Sequence, residues 1–336
     1  MAGTGKAHLR DSPAPILRVE NLVIEYKSGR NDPVQAVSNI SLELHDGETL
    51  AIIGESGCGK STLGKGILKL VDVTSGSVVF NGVDINTLDK EALRQVRPNF
   101  QMIFQDSISS LDPHLTVGRI VRQPLDIWNR GEESERDAKV DELLVSVGLE
   151  PERVKNRKPH EFSGGQCQRI SIARALTLEP KVLICDEPVS SLDVSIQAQI
   201  LNILQEMKVR YGLSLIFISH DLAVVRAIST RILVMYLGKV CEIADPDTLC
   251  DSPRHHYTHA LVSSVPVPDP TVHRHSAILQ GEPPSPTTRH RVADSAPVVQ
   301  PQPICARQKN HNCAKLRLAT MWRAITRATS RVSNTN

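Results

Sequence analysis

GESGCGKST, residues 54–62, follows the apolar run LAII at residues 50–53 and opens into KSTLGKGILKLV at residues 60–71. An apolar strand, a glycine-rich turn and a helix in that order form a phosphate cradle. Gly54, Gly57 and Gly59 permit backbone conformations that turn successive N–H groups inward at β- and γ-phosphates. Lys60 brings a point positive charge to those phosphates, Ser61 offers a hydroxyl to Mg²⁺, and the helix N-terminus faces the anion. Glu55, Ser56, Cys58 and Thr62 complete the candidate loop. Alone, the loop says only that the chain binds a nucleotide.

Further strings narrow the chemistry. VLICDEP, residues 182–188, is an apolar run ending in two acids. A buried strand there delivers Asp186 to the site, where it can hold Mg²⁺ through a water, and sets Glu187 at the strand mouth to orient and deprotonate an attacking water. LSLIFISHD, residues 213–221, brings His220 to a strand mouth in the same way. In FSGGQCQRI, residues 162–170, Ser163, Gly164 and Gly165 precede an apolar-periodic helix, so their N–H groups form a second anion site. That second site lies too far along the fold to reach the same phosphates, and a head-to-tail dimer is the economical geometry.

The order of phosphate loop, Gln105, SGGQ, DEP, SSLD and His220 resembles the ATP-binding cassette family over residues 16–265. The resemblance implies an α/β fold: a P-loop NTPase core with an antiparallel β subdomain and an inserted α-helical subdomain, plus a short C-terminal extension. It implies that Tyr26 stacks on adenine and that Gln105 senses Mg²⁺ and the lytic water and links to a membrane partner. Ser163, Gly164, Gly165 and Gln166 would bind the γ-phosphate of ATP held by the opposite subunit. Asp193 would lie in the loop crossing the dimer interface, and His220 would contact the γ-phosphate. The metal set is then Ser61, Gln105 and Asp186, and the cofactors are ATP and Mg²⁺. Cys167 stands where the family usually has Arg, so a cation is lost beside the second phosphate site.

FQDSISSLDP at residues 104–113 and PRHHYTHALVSSVPVPDP at residues 253–270 resemble the ATP-binding subunits of oligopeptide, dipeptide and nickel importers. His256 departs from that pattern, which usually has Pro there. The resemblance implies an energy-coupling ATPase of a bacterial importer, of peptides or alternatively of nickel, glutathione or another small solute. Its partners would be a second cassette subunit (a copy or a paralogue), two permease subunits and an extracytoplasmic solute-binding protein. Its place would be the cytoplasmic face of the inner membrane. A soluble cassette ATPase acting on nucleic acid or the ribosome would need a coiled-coil insertion, zinc-site cysteines or two cassettes; a GTPase would need an NKxD string. None is visible.

Composition agrees. A chain of 336 residues can bury a substantial core. A formal net charge of +2 argues against a dedicated nucleic-acid binder. No apolar window of about 18 residues exists to span a membrane, and MAGTGKAHLRDSPAP lacks the apolar region of a secretory signal. The seven cysteines have no framework spacing, which indicates free thiols in a reducing compartment. Cys58, two residues from Lys60 at a helix N-terminus, is expected to be a reactive thiolate.

The chain is expected to divide into a disordered lead (1–15), a cassette (16–250, its helical subdomain near 116–160), an appendix (251–270) and a disordered basic tail (271–336). Relatives of this importer class often follow GE-PSP with a cysteine-rich segment holding an iron–sulfur cluster. Here GEPPSP at residues 281–286 is followed only by Cys305 and Cys313. Two thiols fall short of the four ligands such clusters usually take, and no cluster is expected.

Overall fold

The computed structural model describes residues 14–28 and 31–264. Most of the lead, the basic tail, GEPPSP, Cys305 and Cys313 lie outside the described residues. The chain opens with β1 (Leu17–Ser28), β2 (Asn31–Leu44) and β3 (Thr49–Ile53), followed by α1 (Lys60–Ile67). Next come β4 (Ser75–Phe80), β5 (Val83–Asp84), α2 (Lys90–Val96) and β6 (Phe100–Ile103). A helical stretch follows, with α3 (Val117–Trp128), α4 (Glu133–Ser146), α5 (Pro151–Val154) and α6 (Gly164–Leu176). The chain then runs through β7 (Val182–Asp186), α7 (Val194–Tyr211), β8 (Ser214–Ile218), α8 (Leu222–Ile228), β9 (Arg231–Tyr236) and β10 (Lys239–Ala244). Two short helices, α9 (Pro246–Asp251) and α10 (His256–Ser263), end the described chain.

The strands form two sheets. A four-stranded antiparallel sheet has the order β2-β1-β4-β5, and a six-stranded sheet the order β10-β9-β3-β8-β7-β6. In the second, β9, β3, β8, β7 and β6 are parallel, and β10 runs antiparallel at one edge. The parallel strands are apolar on both faces because both are covered. Leu50, Ile52, Val182, Ile184, Ile216 and Ile218 share one core with the antiparallel sheet and α1. Their neighbours, among them Ala51, Ile53, Leu183, Cys185, Leu215 and Phe217, point the other way into a core built with α3, α4, α6, α7 and α8. The two-residue side-chain period thus divides one sheet between two cores.

Two helices differ from the sequence expectation. The helix expected to reach residue 71 stops at Ile67. Lys69 takes φ 50°, and its ammonium reaches the carbonyls of Ile85, Asn86 and Leu88 at 3.1–3.3 Å, bending the chain away. The short α2, absent from the sequence reading, starts on Asp89, whose carboxylate accepts the Ala92 N–H at 2.8 Å.

Candidate functional site

Adjacent parallel strands β3, β8, β7 and β6 end on one edge of the sheet, and the candidate residues sit just beyond those ends. Crevices outside the carboxyl ends of parallel strands are where open α/β sheets bind ligands. The loop after β3 is shaped by close backbone approach. A Cβ on Gly54 would come within 2.2 Å of the Met235 carbonyl, and one on Gly59, at φ +101°, within 2.2 Å of the Ala36 carbonyl. No side chain fits at either position. Lys60 is 4% exposed, and its ammonium donates to the Gly54 and Glu55 carbonyls at 2.8 and 2.9 Å. The Glu55, Ser56 and Gly57 segment is exposed, with Ser61 and Thr62 half-buried on the first turn of α1.

Asp186 closes β7. It is 3% exposed, and its Oδ1 accepts the Ser61 hydroxyl at 2.8 Å. Burial pushes the carboxyl up; the Ser61 hydrogen bond pulls against it, and the neighbouring Glu187 charge adds to the upward push. A buried carboxylate beside a hydroxyl is a hard-oxygen pair of the kind Mg²⁺ takes, and a cation would offset the cost of burying the charge.

Glu187 leaves the strand with φ 46°, a left-handed conformation rare outside glycine. Its N–H donates to the Ile218 carbonyl at 3.0 Å, and its carbonyl accepts the Ser190 N–H and hydroxyl at 3.3 and 3.2 Å. That turn aims the side chain across the strand ends. Glu187 Oε2 accepts from Gln105 Nε2 at 3.0 Å and lies 3.4 Å from His220 Nδ1. Residues just beyond the ends of β6, β7 and β8 therefore converge on one carboxylate.

The segment after Gln105 is tied to α6. Arg174 Nη1 donates to the Ser110 carbonyl at 2.6 Å, a contact the sequence reading missed. Its signal was a lone cation in the apolar helix ISIARAL, residues 170–176. A groove of about 710 Å³ opens here, lined by Leu70, Phe104 and Trp128 together with Ser61, Gln105 and Asp186.

Ser163 caps α6. Its hydroxyl accepts the Gln166 N–H at 3.4 Å, while Gln166 Oε1 accepts the Ser163 N–H at 3.0 Å. This reciprocal box fixes the direction in which the first turn presents its free N–H groups. A Cβ on Gly165 would lie 2.7 Å from the Ile196 side chain, so α7 packs directly against the turn. Asp193, exposed, precedes the first residue of α7. Tyr26, on β1, is 42% exposed.

The expectation for Cys58 is corrected. Cys58 is 3% exposed, packed beneath the loop rather than presented at its surface. Its thiol occupies the space a Gly54 side chain would need, at 2.9 Å. Cys167 is fully buried in the helical core, its Sγ donating to the Pro159 carbonyl at 3.5 Å. Burial raises its pKa.

Residues 37–190 match the family described as ABC transporter, and residues 241–291 match the C-terminal region of oligopeptide/dipeptide transporters. The chain is 52% identical to the oligopeptide transport ATP-binding protein OppF of Salmonella typhimurium, over 75% of this chain and 76% of that one. It is also 52% identical to the oligopeptide transport ATP-binding protein AppF of Bacillus subtilis, over 75% of this chain and 78% of the other. The dimeric ATP-binding cassette MJ0796, solved in a post-hydrolysis state with ADP and Pi, superposes with a TM-score of 0.63 at 33% identity, covering 68% of this chain and 98% of that one. Among the described residues no helix is long and apolar enough to cross a membrane. With the strand-end cluster, these similarities establish that the chain belongs to the ATP-binding subunits of ABC transporters.

Proposed function

We propose that this chain is the ATP-hydrolysing, energy-coupling subunit of a bacterial peptide importer. The observation that carries the reading is the convergence of Gln105 and His220 on the Glu187 carboxylate, next to the Ser61–Asp186 pair. The match of the C-terminal region to oligopeptide and dipeptide transporters supports peptides as the cargo class.

In this reading the loop amides of residues 54–62 and the Lys60 ammonium hold the β- and γ-phosphates. Lys60 already reaches two loop carbonyls. Exchanging neutral carbonyls for phosphate oxygens gives charge-assisted bonds, roughly twice as strong. Ser61, Asp186 and Gln105 would hold Mg²⁺, which when bound supplies neutralisation of the phosphate oxygens. Glu187 takes the proton of the attacking water. Gln105 and His220 hold its carboxylate in place, and His220 reaches toward the γ-phosphate. Tyr26 offers its exposed ring to adenine.

The first turn of α6, with Ser163, Gly164, Gly165 and Gln166, serves the γ-phosphate of ATP on a second cassette subunit, a copy or a paralogue. Asp193 belongs to the same interface. ATP binds the closed dimer more tightly than the open one, and that difference is what moves a membrane partner. The groove beside Phe104 and Trp128 suits a cytoplasmic helix of the permease, because Ser61 and Asp186 belong to its lining. Arg174 ties the Gln105 segment to α6, so displacement in the groove is felt at the second phosphate site. The full assembly would add two permease subunits and an extracytoplasmic binding protein, with this chain peripheral on the cytoplasmic face.

The test is ATP turnover by the reconstituted complex in vesicles. Peptide-loaded binding protein should stimulate phosphate release and peptide accumulation together. Stimulation by a metal or sugar, and none by any peptide, would refute peptide import.

A further inference from the structure

We propose that Tyr257, in the C-terminal appendix, is a positioning residue of the phosphate loop. The Glu55 N–H donates to the Tyr257 hydroxyl at 2.9 Å, joining residues 202 positions apart. The inference rests on the reading of residues 54–62 as the ATP cradle.

The contact is built from several directions. Tyr257 is 5% exposed, and its ring lies against that of Tyr236, centroids 4.3 Å apart. Tyr236 closes β9, and the turn beyond it reaches the same loop: the Gly238 N–H donates to the Cys58 carbonyl at 2.9 Å. The start of α10 is fixed in turn. The Glu242 carboxylate accepts the N–H groups of Arg254 and His255, both at 3.0 Å. His255 Nδ1 accepts the Tyr257 N–H at 3.1 Å. Strand β10 therefore sets where α10 begins, and α10 sets where the hydroxyl points.

Glu55 is gripped at both ends. Its N–H goes to Tyr257 and its carbonyl to the Lys60 ammonium. When phosphates draw Lys60 away, the carbonyl is released, and the Tyr257 bond is what keeps this end of the loop in register. A loop held in its binding shape loses less freedom on binding, so the hydroxyl strengthens ATP binding without touching ATP. The appendix thus stabilises the nucleotide site of its own chain.

The test compares full-length wild type with Tyr257→Phe, which keeps the ring and its contact with Tyr236. MgATP binding and steady-state hydrolysis are measured on both. Loss of one hydrogen bond of ordinary strength predicts about 3- to 10-fold weaker MgATP binding. KM should rise by the same factor, with kcat changed less than about twofold, as expected for lost uniform binding. A purely structural role would lower the melting temperature or the active fraction and leave KM alone, which overturns the proposal. The two readings separate cleanly. Wild-type protein that fails to bind MgATP refutes the cradle itself, whereas wild type and Tyr257→Phe that bind equally refute only the role of Tyr257.

Discussion

Replacing Glu187 by Gln isolates one property, the ability to accept a proton. The amide oxygen can still accept from Gln105 Nε2, now at 3.0 Å from the carboxylate, and Gln has the same shape and the same tolerance of φ 46°. Fold stability should therefore shift by no more than about 0.5 kcal/mol, the range of substitutions that disturb no buried contact. Binding should not weaken. The Glu187 charge is among the causes that raise the Asp186 carboxyl, after burial, and its removal also lifts a repulsion felt by incoming phosphates. Hydrolysis should fall by about 10²–10⁴, the usual contribution of a general base. That is about 3–5 kcal/mol of transition-state stabilisation. Phosphate release by the assembled complex reads the loss, and sedimentation with MgATP should show an accumulated closed dimer. Turnover within about tenfold of wild type would remove Glu187 from the proton-accepting role.

Gly59→Ala should cost stability, about 1–3 kcal/mol from its φ alone, and abolish MgATP binding, because the new Cβ meets the Ala36 carbonyl; calorimetry and nucleotide titration check both. Cys58 should react slowly with N-ethylmaleimide in the folded chain, since it is buried; rapid inactivation that Cys58→Ala prevents would contradict its inward packing. Charge reversal at Asp106 or Asp112 is a poor probe of the membrane groove, because each carboxylate caps its own loop, Asp106 to Ile108 and Ser109 and Asp112 to His114. Leu70, 45% exposed and part of the groove lining, is the better site, and Leu70→Glu should uncouple peptide uptake while the isolated subunit hydrolyses ATP normally. His255 holds α10 through an unprotonated Nδ1, and burial lowers its pKa below the usual 6.5, so its stabilisation is present above that value and lost as pH falls below it. Melting measured from pH 7.5 down to 5.5 should therefore increasingly favour His255→Asn, whose capping oxygen does not titrate, over wild type.

Legibility in the sequence follows the distance over which a feature is encoded. The strand–turn–helix at residues 50–67 is local, so its glycines and Lys60 announced their geometry directly. The same holds for β7 and β8, where apolar runs of four residues each lead to the residues that matter. The helix α2 escaped because it is only seven residues long and its apolar pair, Leu93 and Val96, is only partly buried. Cys58 was misjudged because its neighbours in sequence are the phosphate ligands, while its neighbours in space include the Gly54 backbone and Cys241, whose own thiol burial pushes up to about 12. Arg174 and Tyr257 act on loops 64 and 202 residues away, a separation that only the folded sheet closes.

Glu187 shows the limit most clearly. The string CDEP marks it as an acid at a strand end, yet nothing in those letters announces φ 46°. A left-handed backbone is disfavoured for any L-residue, and Pro188 disfavours helical conformations in the residue before it. Such a conformation costs on the order of 1–3 kcal/mol and persists only where surrounding bonds over-determine it. Here they do, through the Ile218 carbonyl on one side and Ser190 on the other. A chain continuing straight from β7 would carry the carboxylate past the strand ends. The strained turn brings it back to Gln105 and His220, so the three neighbouring strands β6, β7 and β8 meet at a single oxygen atom.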